Sequence, residues 1–109
     1  STNELISGLH EAPHYLTEAD WQQLRSVTEK AYPSFLSTLK SRHPYLTEVD
    51  MQVALLTKLR FSGSQIASML AVSPTSVTKQ KQRMKKRLIQ SDPSTFGQES
   101  TLDAYISSL

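Results

Sequence analysis

Apolar residues recur at three- and four-residue spacing along most of this chain, and nowhere do they alternate with polar ones for long enough to make a strand. The pattern predicts an all-α fold. Trp21, Leu24, Val27 or Thr28, and Ala31 make one apolar face over Thr17–Ala31. Thr17 can cap that helix, with Glu18 and Asp20 at its positive end. Tyr32-Pro33 ends it, and Phe35, Leu36 and Leu39 mark a second helix from Ser34 to Arg42, stopped by His43-Pro44. The expected role of Trp21, Phe35 and Leu39 is packing within a helical hairpin; the alternative is a dimer interface. A third helix begins after Leu46, where Thr47 and Asp50 form a short-armed capping box. Val53, Leu56 and Leu59, flanked by Met51 and Leu55, give it a face wide enough to be buried on two sides.

Two short helices follow the connection Arg60–Gly63. Ser62 or Ser64 can cap the first, and Ile66, Ala67 and Leu70 form its apolar positions. Ala71 and Val72 leave room only for a sharp turn before Ser73 and Pro74, a cap residue and a proline at the first helical position. Val77, Met84 and Leu88 then trace one narrow stripe. Opposite it, at about 100° per residue, lie Thr75, Lys79, Gln82 and Lys86, flanked by Thr78 and Arg83. Lys81 falls near the stripe, where its stem packs and its amine reaches out. Two helices, a tight turn and a basic second helix make a helix-turn-helix. Beyond Leu88 a polar stretch from Gln90 to Ser100, with Asp92-Pro93 and Gly97, predicts a loop or hinge. Leu102, Tyr105, Ile106 and Leu109 close the chain as a short amphipathic helix that must dock on its own domain or on a partner, since a helix this short is unstable alone. Residues 1–16 are expected to be weakly structured, because Gly8 and Pro13 interrupt the turn begun by Leu5, Ile6 and Leu9. The organisation expected is therefore an N-terminal segment 1–16, a helical hairpin or connector 17–45, and a helix-turn-helix domain 46–109.

Charge sharpens this picture. The net charge is only +2. Yet residues 51–91 contain eight Lys/Arg and no Asp or Glu, while all ten acidic residues and four basic ones lie elsewhere, so the window carries +8 and the remainder −6. Such segregation predicts one positive surface facing a polyanion. Other chemistries find little support. There is no cysteine, and 109 residues make one small domain. No apolar run reaches the length of a membrane span and no signal-peptide pattern opens the chain, so the expected location is the cytoplasm, as a whole protein or as part of a larger regulator. The chain begins at Ser1, as a processed product or a fragment would. His10 and His14 have the spacing of two metal ligands on a helix, but Pro13 separates them and no third ligand is near, so they are expected to be solvated. No nucleophile–base pair or metal cluster is visible, and no enzymatic activity, metal, cofactor or small-molecule ligand is expected.

From Leu46 to Leu88 the sequence resembles, without gaps, the DNA-binding domain of LuxR-type (GerE-type) bacterial transcriptional regulators. Leu46-Thr47 resembles the Leu-Thr that opens that domain, with Asp50 where Glu is usual. Ser62, Gln65 and Ile66-Ala67 resemble its Ser…Glu-Ile-Ala segment, and Leu70, Val72 and Ser73 its Leu-x-Ile-Ser turn. Val77, Met84, Arg87 and Leu88 fall on the apolar and Lys-Leu positions of its recognition helix. Arg60 stands where the family usually has Gly, which predicts a wider or strained turn; Thr78, Gln80, Lys81 and Arg83 also depart from the frequent residues. The resemblance implies a recognition helix, about residues 74–88, in the major groove. It places Thr78, Lys79 and Gln82 at base edges. Ser76, Arg83 and Lys86 are the candidates for phosphate contacts. It also implies dimers on paired half-sites, often through the last helix, which makes Leu102, Tyr105, Ile106 and Leu109 the docking or dimer residues. The partners expected are double-stranded DNA, a second copy of the chain and RNA polymerase, in a signal-transduction output role. Two rivals remain: a sigma-factor-like promoter-binding domain, and a helical protein-interaction module using the basic helix or Trp21 and Phe35.

Overall fold

A computed structural model describes residues 2–94 and 101–109 of the chain. The described residues form helices and connections without a strand: α1 Thr2–Glu11, α2 Glu18–Ala31, α3 Phe35–Arg42, α4 Glu48–Lys58, α5 Gly63–Leu70, α6 Pro74–Ser91 and α7 Leu102–Ser108. The fold is all-α, as the periodicity predicts.

Local chemistry sets the helix starts. Thr17–Asp20, Thr47–Asp50 and Ser62–Gln65 each close a full capping box, the cap side chain accepting from the fourth residue's N–H while that residue's side chain accepts from the cap N–H. Each box satisfies two donors that a helix end leaves open. At Ser73 the hydroxyl accepts from Ser76 N–H, and Pro74 follows at the first helical position. Of the two serines that could cap α5, Ser62 does so.

The core is built on α4. Val53 to Leu59 is an unbroken buried run, so the helix is covered on more than one side. It packs against both α6 and α7, and α5 packs on α6. Ile66, Met69, Val77, Met84, Leu88 and Ile106 are among the fully buried side chains filling the spaces between them. Ala67, small and buried, lies where the chain turns back, and its carbonyl accepts from Val72 N–H at 3.0 Å. The α2–α3 hairpin adds Trp21, Leu24, Phe35 and Leu39 to the same core.

The N-terminal segment differs from expectation. Residues 1–16 were expected to be weakly structured, but α1 runs for ten residues straight through Gly8. Tertiary contacts outweigh the glycine. Leu9 and Leu16 are buried, Leu16 N–H donates to the Met69 carbonyl at 3.0 Å, and Gln65 Nε2 donates to the His10 carbonyl at 2.9 Å. His10 is not solvated either. Its ring stacks on Phe61 with centroids 4.0 Å apart, and its Nε2–H donates to the Leu59 carbonyl at 3.0 Å. His14 lies beyond the end of α1 and donates to the Tyr15 carbonyl. At the other end of the chain, α6 continues through Gln90 to Ser91, so the expected loop starts later; residues 95–100, with Gly97, lie outside the described residues.

Candidate nucleic-acid interface

Helix α6 is 18 residues long, about 27 Å at 1.5 Å per residue. Val77, Met84 and Leu88 fix its inner face, each nearly or fully buried. Once that stripe is seated, the helical period sets where every other side chain points.

Both flanks are then tied down by carboxylates. On one flank Asp50, wholly buried at the start of α4, accepts from Arg87 at 2.6 Å and from the Gln80 side-chain amide, besides closing its own capping box. A buried carboxylate is tolerated only when it is paired and hydrogen-bonded, and Asp50 has three donors around it. On the other flank Lys81 Nζ lies 3.1 Å from Asp103 at the start of α7. The lysine side chain is only 19% exposed, in keeping with its place beside the apolar stripe.

Two more cations of the basic window are placed by the fold. Lys58 lies 4.6 Å from the Tyr32 ring centroid and 5.2 Å from that of Phe35, and donates to the Ser107 carbonyl at 2.9 Å. It thereby sits at the negative end of α7, and burial pulls its pKa below the ordinary lysine value. Arg60 is exposed on the turn after α4.

What remains is the outer crest of α6. Thr75, Ser76, Thr78, Lys79, Gln82, Arg83 and Lys86 are all exposed. Among the described residues Lys79 and Lys86 make no ion pair, and they lie seven residues apart on the crest. Lys79, Gln82, Arg83, Lys85, Lys86 and Ile89 line one shallow groove along it. Ser76 Oγ is bonded to Ser73 Oγ at 2.9 Å, Thr78 Oγ1 donates back to the Pro74 carbonyl, and Arg83 donates to the Gln80 amide oxygen. The six residues singled out in the sequence as base or phosphate contacts therefore share one exposed surface.

The four docking residues do not join that surface. Leu102, Tyr105 and Ile106 are buried in the chain's own core, and Leu109 packs half-buried against it. The apolar face of α7 is thus taken up within one chain. Tyr105 also meets His43, a buried residue that ends α3. His43 Nε2 lies 2.7 Å from the Tyr105 hydroxyl and Nδ1 3.0 Å from that of Tyr45. A neutral imidazole donates to one hydroxyl and accepts from the other. Burial lowers the His43 pKa, with Asp92 opposing and Arg42 adding to the shift. Burial likewise raises that of Tyr45.

Sequence reasoning missed Asp50 as a tertiary anchor, having assigned it only the capping box. One signal was present: Gln80 and Arg87 are seven apart on a single flank of α6. Their partner, however, is 30 and 37 residues away, and no periodicity reports such a pairing.

Among the described residues no group of three or more His, Asp or Glu side chains could hold a metal ion, and no helix is long and apolar enough to cross a membrane. Searches against known protein families, curated proteins and solved structures find no match for the chain.

Proposed function

We propose that this chain binds duplex DNA, with the crest of α6 in the major groove, as the output domain of a bacterial transcriptional regulator of the LuxR type. One observation carries the reading. Three cations of the basic window are used by the fold (Lys58, Lys81 and Arg87), whereas Lys79 and Lys86 stand on an exposed crest without an ion-pair partner among the described residues, with Gln82 between them. A helix whose cations served only solubility would not need both flanks braced by carboxylates. A helix that must enter a groove about 12 Å wide does, because its crest has to be held at a fixed height.

Roles follow from position. Lys79 and Gln82 lie one turn apart at the middle of the crest, where a groove-bound helix comes nearest base edges; lysine donates to guanine, and glutamine can both donate to and accept from adenine. Thr78 flanks them. Ser76, Arg83 and Lys86 lie where the helix meets the backbone strands and take phosphates. The chain carries out no reaction in this reading.

A randomised-site selection with four variants tests it. Lys79→Ala and Gln82→Ala are expected to relax preference at particular base pairs, costing about 1–3 kcal/mol on the preferred site and little on random DNA. Arg83→Ala and Lys86→Ala are expected to weaken all sequences alike. Variants at Lys79 and Gln82 that select the parent's motif would remove them from the reading face. A parent that ignores duplex DNA at low salt would favour the protein-interaction reading.

A further inference from the structure

Buried Asp50 orients more than the start of α4. Its carboxylate can only accept, so Gln80 must turn its NH2 group inward to reach it. The amide oxygen of Gln80 then faces outward. Arg83 can only donate, and its guanidinium takes that oxygen at 2.8 Å. A buried charge thus fixes, through one amide, the direction of an exposed arginine. Arg83, Gln80 and Ser76 line a common cleft of about 340 Å³ between the start of α4, the α5–α6 turn and α6, with the exposed Val49 and Val72 beside them.

Resting on the DNA-binding reading, we propose that Gln80 is a positioning residue: it relays the fixed orientation of Asp50 to Arg83 and holds that guanidinium ready for a DNA phosphate at this cleft. Arginine presents five N–H donors in a rigid fork. One bond to Gln80 leaves the others for phosphate oxygens. An unrestrained arginine loses rotamer freedom on binding, and one held beforehand loses less.

A double-mutant cycle tests this, with Gln80→Met, Arg83→Ala and the pair, each titrated against one duplex over a salt series. Methionine keeps the length of the side chain and removes both amide groups, while Asp50 keeps Arg87 and its cap. Q80M is expected to weaken binding about three- to ten-fold with the salt slope unchanged, because the Arg83 charge remains. R83A is expected to flatten the slope by about 0.9, one phosphate contact. Q80M added to R83A is expected to change almost nothing. Equal losses from Q80M in both backgrounds would overturn the positioning role while leaving DNA binding intact. A parent that does not bind duplex DNA would overturn both. Without DNA, nuclear relaxation of the Arg83 Nε–H is expected to report a rigid side chain in the parent and a mobile one in Q80M; equal mobility would also overturn the proposal.

Discussion

Arg60 follows α4 with φ at 70°, in the left-handed region where a Cβ crowds the backbone and glycine does not. The turn expected here from the sequence is wider or strained, and the left-handed φ makes it a strained one. Ala71 closes α5 in the same region, φ 56°, again without glycine. Arg60→Gly is expected to stabilise the fold by about 0.5–1 kcal/mol, the relieved strain being partly offset by the greater freedom of glycine in the unfolded chain. Denaturant unfolding reads the gain; a loss would mean that the Arg60 side chain itself supports the turn. His43 sets a second residue-scale expectation. Its pKa in the fold lies below the ordinary 6.5 because burial disfavours the charged ring. The unfolded chain therefore binds more protons in the window from 6.5 down to the folded value. Stability contributed by the neutral ring is complete above that window and is lost as pH falls through it. The melting temperature is expected to drop between pH 7 and pH 5.5, and His43→Gln to shrink that drop; an equal drop in the variant would assign the pH dependence to other groups.

At the scale of elements, α7 shows how a seven-residue helix persists. Thr101 caps it through Ala104 N–H, Ile106 is wholly buried, Tyr105 bonds to His43, and Lys58 takes the Ser107 carbonyl. Ile106→Ala is expected to cost about 2–4 kcal/mol and to loosen α7 while α4–α6 stay helical. Hydrogen exchange resolved by residue separates the two; unchanged protection in α7 would mean that Lys58 and Tyr105 suffice to hold it. The starts of the helices were legible in the sequence because caps are local: Thr17, Thr47, Ser62 and Ser73 each act within four residues. The crest of α6 was legible because the stripe Val77–Met84–Leu88 fixes the opposite face. What was not legible is non-local. Helix α1 crosses Gly8 because Leu9 is buried in the core and His10 meets Leu59 and Gln65, 49 and 55 positions away, and Asp50 draws Gln80 and Arg87 from α6. Composition reports none of these pairings.

Over the whole molecule, the segregation of charge is partly internal. Two of the acidic residues outside the basic window, Asp50 and Asp103, lie against α6 and neutralise Arg87 and Lys81 there. The field that reaches a partner therefore comes from fewer cations than the +8 of the sequence, chiefly Lys79, Arg83 and Lys86 on the crest, with Arg60 on the turn after α4. A radius of gyration of 13.5 Å is that of a single packed body of this length, and helices α1–α3 share one core with α4–α7. The salt dependence of affinity for a duplex long enough to hold one protomer tests the central claim most directly. If about four phosphates are neutralised, log K is expected to fall against log salt with a slope of about −3.6. The Lys79→Ala, Lys86→Ala double variant is expected to weaken binding and flatten that slope, whereas a control at Lys40, exposed on α3, is expected to leave it unchanged. No binding at low salt, or an affinity indifferent to salt and to Lys79 and Lys86, would contradict the account.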